Sequence, residues 1–300
     1  MGLSYGFFWA NRDFLALNVT NDGNRNYYYG LESFFYTIAG VIVPFSVGAF
    51  IGATENGILG GNVNLAYKIV TIFVFALTIV SSAVVFAGKF NNPKNDRFIF
   101  FKFDKIWNKM MGLSSLKGIA QGYIVTAPAM LIMSLVGNEN TLGVVQSSGA
   151  ILSALLLYFL GRFAKPKHRL LIFSVGLILF ALGGAFNAVM YSSLAVILFM
   201  LCLVLGRPLM DLAYFPIQLR VIDYVAKKEE RNPFTYIFVH EFGLYLGRFI
   251  GCGLFILFAF KISNDFALRY ALVIIGLVQL ISILVAKNIT NSLNKLESKK

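Results

Sequence analysis

RLLIFSVGLILFALGGAFNAVMYSSLAVILFMLCLVLGRPLMDLAYF, residues 169–215, decides the fold class. A membrane-crossing helix needs about 20 predominantly apolar residues. Segments 169–190 and 193–215 both reach that length, and neither carries the polar face that a helix on a soluble core would show. Working outward, 118–136, 142–161, 234–260 and 266–286 read the same way, as do 28–53 and 67–88 upstream. A ninth segment, 1–20 (MGLSYGFFWANRDFLALNVT), is apolar but holds Asn11, Arg12 and Asp13 in its middle. The whole chain agrees: 300 residues, 58% hydrophobic and 13% charged, with a mean hydropathy of +0.73. A soluble domain would carry about 25% charged residues. Period-two alternation is rare, which disfavours a barrel and leaves helices to satisfy the backbone in lipid. The expectation is an all-α polytopic membrane protein with about nine transmembrane helices.

Net charge is +12, from 26 Lys+Arg against 14 Asp+Glu. In a soluble chain that excess would suggest nucleic acid, so its placement has to be read first. Lys89, Lys94, Arg97, Lys102, Lys105, Lys109 and Lys117 share one connection. Arg162, Lys165, Lys167 and Arg169 share another, and Arg220, Lys227, Lys228 and Arg231 a third. Lys287, Lys295, Lys299 and Lys300 follow the last span, and Arg25 follows the first. Thus 20 of the 26 basic residues fall on alternate, same-side segments. The opposite side has Lys68, Lys261 and Arg269. By the positive-inside rule the basic side and the C-terminus face the cytoplasm, across a plasma (inner) membrane. The charge excess then records topology, and no nucleic-acid partner is expected.

Segment 1–20 would start outside with charge at its centre, where Arg or Asp costs about 2.5–3.5 kcal/mol each. It also lacks the basic start and uninterrupted apolar core of a secretory signal. It is expected to be an internal span whose preceding helices are missing. The chain then divides into 1–88 with three spans, a basic central loop 89–117, a six-helix bundle 118–286 and a cytoplasmic tail 287–300. Phe98, Phe100, Phe101, Phe103 and Trp107 alternate with Lys and Asp in the loop. That pattern suits either an interfacial amphipathic helix or a tethering linker. A sparse internal repeat lays Phe8–Asn26 (FWANRDFLALNVTNDGNRN) on Tyr214–Asn232 (YFPIQLRVIDYVAKKEERN) without a gap. It pairs spans one and two with spans seven and eight.

With these features the chain resembles the major facilitator superfamily, twelve-helix secondary transporters built as two six-helix halves. The likeness runs over essentially all 300 residues, from the family's fourth helix onward. It implies a partial fold of three helices from the N-terminal bundle and six from the C-terminal one. The turn from Gly161 and Arg162 through Lys165 to Arg169 is similar to the family's G-x-L-x-D-R-x-G-R-R turn. Lys165 stands where the aspartate is expected, and the second glycine is absent. Asp22 with Arg25, and Glu229, Glu230 and Arg231, fall where the family places cytoplasmic gating charges. The resemblance implies alternating-access transport of a small solute by a monomer in contact with membrane lipids, driven by a solute gradient or a proton.

Charge inside a span is costly and marks a bundle interior or a water-filled path. Arg207 and Asp211 share a face of the seventh span. Three readings stand: a self-neutralising pair, a gate between Asp211 and a basic loop, or Arg207 lining a substrate cavity. Glu241 and Arg248 share a face of the eighth. Glu241 could load and release a proton, or pair permanently with Arg207 or Arg248. Arg12, Asp13 and Glu32 are expected to be partners of one another or of missing helices. His240, one residue from Glu241, is expected on another face. Gln121, Tyr123, Gln146, Asn187 and Gln279 could line a cavity or make interhelical contacts. Gly243, Gly247, Gly251 and Gly253 form a packing stripe, and Pro44, Pro128 and Pro208 are candidate bends.

No Gly-rich phosphate loop precedes a Lys-Ser/Thr pair, which argues against an ATP-driven pump. His168, His240, Cys202 and Cys252 have no metal-ligand spacing, so no cofactor or metal is expected. A non-transporting sensor or assembly subunit, or an inactive truncated carrier, is the alternative. A membrane-embedded lipid-modifying enzyme is a more distant one, because no acid/His constellation is visible at one interface.

Overall fold

The computed structural model describes residues 2–55, 57–88, 100–124, 130–131, 134–135 and 139–298. Among these the structure is helical, with no strand. The α-helices are α1 (Gly2–Val19), α2 (Arg25–Glu55), α3 (Val63–Ala87), α4 (Lys105–Ile124), α5 (Glu139–Phe163), α6 (Arg169–Met190), α7 (Ser193–Glu229), α8 (Pro233–Lys261) and α9 (Asn264–Glu297). Five of these segments are long and apolar enough to cross a membrane: α3, α6 with the short turn before it, α7, α8 and α9. That is compatible with a membrane-embedded protein.

Local chemistry sets the breaks between the last four helices. Tyr191 closes α6 in the left-handed region (φ 38°), and the Ser192 side chain then caps α7 by accepting from Ala195 N–H. Glu230, also left-handed (φ 52°), ends α7. Asn232 caps α8, whose first residue is Pro233, a position where the missing N–H costs nothing. Ser263 caps α9. Connections this short make consecutive helices antiparallel neighbours.

By packing, the chain forms two units, Met1–Phe34 with Pro93–Lys300, and Phe35–Asn92. Segment 1–88 is therefore not one bundle: α1 and the start of α2 belong with the later helices. In the smaller unit, α3 buries only Ala66, and consecutive Ile72, Phe73, Val74 and Phe75 are all exposed. A helix apolar on every side suits lipid rather than water. In the larger unit, α6 packs on α7 and α9, and α4 packs on α8 and α9. One core gathers Trp107, Phe173, Tyr214, Ile217 and Tyr236. A second gathers Tyr123, Phe180, Phe199, Leu203 and Leu272.

Several boundaries depart from expectation. Helix α4 starts at Lys105, so the expected loop 89–117 and span 118–136 share one helix. Its first half is no interfacial helix: Ile106, Trp107, Met110 and Leu113 are buried, and the Trp107 ring meets Tyr236 edge-on at 5.0 Å. Lys89, Lys94, Arg97, Phe98 and Pro128 lie outside the described residues. Helix α7 continues past 215 to Glu229; its 37 residues span about 55 Å at 1.5 Å each, well beyond the roughly 30 Å of bilayer hydrocarbon. The expected tail 287–300 is helical to Glu297 and buries Ile289 and Leu293.

Small residues hold α4 against α8. A methyl group on Gly118 would sit 2.9 Å from Gly247 Cα, and one on Gly251 3.0 Å from the carbonyl carbon of Ile119. Gly243 joins this face. Gly253 does not, having open space around it. Pro208 lies inside α7 and lacks the N–H that would bond Val204 four residues back. The freed Val204 carbonyl accepts the Ser153 hydroxyl of α5 at 2.5 Å. Pro44 lies in α2, with its side chain outside the described ones.

Candidate functional site

Arg12, Asp13 and Glu32 meet as partners where α1 and the start of α2 approach α4, α7 and α8. Arg12 donates from Nε to Glu32 Oε1 at 2.7 Å and from Nη2 to Glu32 Oε2, a bidentate pair between α1 and α2. Its Nη1 reaches Asp13 Oδ1 at 2.6 Å. The guanidinium lies 4.8 Å from the ring centroids of both Tyr29 and Phe215. Those rings stack on each other at 5.1 Å, so aromatic faces replace part of the cation's hydration.

Phe215 also receives a second cation. Lys117 Nζ lies 4.0 Å from its centroid and 3.9 Å from that of Tyr214. The same ammonium donates to Asp211 Oδ1 at 2.7 Å. Asp211 is thus paired across helices with Lys117, not with Arg207 four residues away. Arg207 is exposed. Arg248 is exposed as well and donates to Gln121 Oε1 at 2.9 Å, so it is not the direct partner of Glu241. The neighbour of Glu241 is His240, whose Nδ1 lies 3.4 Å from Glu241 Oε1. His240 therefore faces the cluster after all. It is fully buried, and its Nε2 is 2.7 Å from the Tyr214 hydroxyl. Gln218 Nε2 reaches Asp13 Oδ2 at 3.4 Å. In the internal repeat Gln218 is aligned with Arg12, and its contact is with the next residue, Asp13.

A second set of contacts lies at the end bearing the basic residues. Arg169 opens α6 and is 4% exposed. It donates from Nη1 to Asp22 Oδ1, from Nη2 to the Asp22 carbonyl at 2.6 Å and from Nε to Asn26 Oδ1 at 2.8 Å. Asn26 Nδ2 in turn donates to the Ala164 carbonyl at 2.7 Å, and Arg25 pairs with Asp223 at 2.7 Å. Gly161 and Gly30 bring α5 and α2 together backbone to backbone: a methyl on Gly161 would lie 2.7 Å from Gly30 Cα. Arg162 is exposed. Arg231 joins a neighbouring group, pairing with Glu229 at 2.9 Å and donating to the Lys102 carbonyl at 2.8 Å. Glu230 serves as the left-handed cap of α7. Beside these, Asp104 holds the start of α4 and accepts from Lys228 Nζ at 2.5 Å.

Of the polar residues expected either to line a cavity or to make interhelical contacts, three tie helices together through backbone carbonyls. Tyr123 donates to the Ala267 carbonyl, Asn187 to Leu268 and Gln279 to Leu116. The side chain of Gln146 lies outside the described ones. Sequence reading missed Lys117, Tyr214, Phe215, Gln218, Tyr29 and His240. A cation at a loop border and aromatics flanking Asp211 and Arg12 were the available signals. The metal-ligand expectation also changes. Among the described residues, Asp13, His240 and Glu241 form one group whose ligand atoms all lie within 4.8 Å of one another.

The fold and the buried charges define a helical protein with, among the described residues, five helices fit to cross a membrane. No family model matches the sequence. The chain is 25% identical over 286 residues to the uncharacterized protein YqgE of Bacillus subtilis (strain 168), covering 92% of this chain and 64% of that protein. It therefore spans somewhat less than two thirds of the relative it matches.

Proposed function

We propose that the chain belongs to a secondary transporter similar to the major facilitator superfamily, which moves a small polar solute by alternating access. The observation that carries this reading is the cluster around Phe215, where Arg12 from one end of the sequence and Lys117 from the middle share one ring. Each cation is neutralised by a carboxylate from another helix. Paired charges placed among spanning helices are costly, and a solute that exchanges partners with them can couple its binding to helix movement. Aromatic faces and both signs of charge suit a polar solute. The contacts of Asp22, Asn26 and Arg25 with α5, α6 and α7 act as a closed gate at the basic end. That end faces the cytoplasm of a plasma (inner) membrane, consistent with the distribution of Lys and Arg.

The test is reconstitution of the full chain into liposomes loaded for counterflow against a panel of labelled small solutes. The expected result is saturable exchange of one solute class, abolished in Arg12→Met while the protein still inserts and elutes as a single species. No exchange for any solute, or exchange unaffected by Arg12→Met, would sink the reading and favour a non-transporting subunit.

A further inference from the structure

We infer that Asp13, His240 and Glu241 form a binding site for a divalent first-row transition-metal cation, bridging α1 and α8. Charge accounting across the cluster leads there. Arg12 is matched by Glu32 through two hydrogen bonds, and Lys117 is matched by Asp211. Asp13 shares Arg12 with Glu32, so four carboxylates, Asp13, Glu32, Asp211 and Glu241, stand against the two largely buried cations Arg12 and Lys117, an excess that a 2+ ion would complement. Arg12 touches Asp13 through Oδ1, which leaves Oδ2 with the long 3.4 Å contact to Gln218. The other arginines nearby, Arg207 and Arg248, are exposed; Arg248 bonds the neutral Gln121, and its charge acts on Glu241 from the surface.

His240 supplies an independent indication. It has no exposed surface, and its Nδ1 has no hydrogen-bond partner. Although Glu241 Oε1 is 3.4 Å away, the contact lacks hydrogen-bond geometry. In the tautomer whose Nδ1 carries no proton, that lone pair faces the Glu241 carboxylate, an unfavourable approach that a bound cation removes. The Tyr214 hydroxyl at Nε2 fixes the ring. With Nε2–H donating to Tyr214, Nδ1 presents its lone pair to the site, the outer hydrogen bond that metal-bound histidines commonly use.

An imidazole with two carboxylates selects zinc-like ions over the oxygen-preferring Ca²⁺ and Mg²⁺. Metal–ligand bonds of about 2.0–2.2 Å require the three ligand atoms to close in from the present 4.8 Å spread by about an ångström, within reach of side-chain rotation. The ligands come from α1 and α8, at opposite ends of the sequence. A bound ion would therefore tie the N-terminal helix to the later bundle.

The test measures binding rather than transport, so it stands apart from the carrier reading. The full chain, purified in detergent on a tag without histidine, is titrated with Co²⁺ by visible absorption, and Zn²⁺ is then added to displace it. The expected result is one ion per chain. Affinity should fall at least tenfold in Asp13→Asn, His240→Ala and Glu241→Gln, and about 10–100-fold in Tyr214→Phe. His168→Ala, which removes the other histidine of the chain, should leave binding unchanged. A variant that misfolds is replaced by melting of the unaltered protein, which Zn²⁺ should raise. Failure to take up Zn²⁺ at about millimolar concentration, no rise in melting, or binding that follows His168 and not His240 would overturn the inference.

Discussion

Lys117 shows how much a single side chain can depend on distant sequence. Its charge lies at the border of a basic segment, where loop placement is the natural reading. Yet its ammonium sits on the Tyr214 and Phe215 rings and bonds Asp211, 94 residues on. The Lys117 side chain is 13% exposed and that of Asp211 28%, so Lys117→Met leaves a partly buried carboxylate without its partner. Removing one member of such a pair costs about 3–5 kcal/mol, whereas removing both is often close to neutral. We therefore expect Lys117→Met to melt well below the unaltered protein in detergent, and Lys117→Met/Asp211→Asn to recover most of the loss. Equal melting of the single and double variants would show that the two groups are not coupled. The arginine and acids of α1 and α2 were legible because charge in an apolar segment is conspicuous. Their aromatic neighbours were not, since Phe and Tyr are common throughout this chain and carry no mark of proximity.

Helix α4 was misplaced in the sequence reading because its first half alternates lysines with large apolar residues, a pattern shared by surface-lying helices. What fixes its start is Asp104. The carboxylate accepts Ile106 N–H at 2.8 Å and the Lys228 ammonium at 2.5 Å, tying α4 to the end of α7. Burial would raise this carboxyl, but Lys228, the Ile106 N–H and the adjacent Lys105 outweigh it and hold Asp104 below its ordinary value. The sign follows. A carboxyl depressed by folding adds stability that is fully present above its unfolded value, about 3.9, and lost as pH falls through the lower folded one. Melting followed from pH 7 downward should therefore show Asp104→Asn less stable at neutral pH, with the gap closing progressively below about pH 4. A gap that stays constant to acid pH would mean that the ionised carboxylate is not what anchors α4.

Across the described residues, hydropathy located the five long apolar helices but not their ends. Helices α7 and α9 run on past the expected span limits because their later turns pack on protein: Val221, Ile222 and Val225 of α7, and Ile289 and Leu293 of α9, are buried. A window scaled to lipid thickness cannot register that. The charges of the proposed gate were legible as types, yet their pairing was not, because Asp22 meets Arg169 across 147 residues. That pairing makes a molecular prediction. Three hydrogen bonds from the Arg169 guanidinium converge on Asp22 and Asn26, and hydrogen bonds to charged groups are each worth about 1.5–3 kcal/mol. A change of about 1.4 kcal/mol moves a two-state ratio tenfold. Spin labels at Asn24 and Lys167, both exposed, span this contact without joining it. In nanodiscs the unaltered background should give one short distance. Arg169→Ala with Asp223→Asn should add a longer population of at least tenfold greater weight, as a gate released at the basic end requires. An unchanged distribution would mean that these contacts are fixed packing and would remove them from the proposed transport cycle.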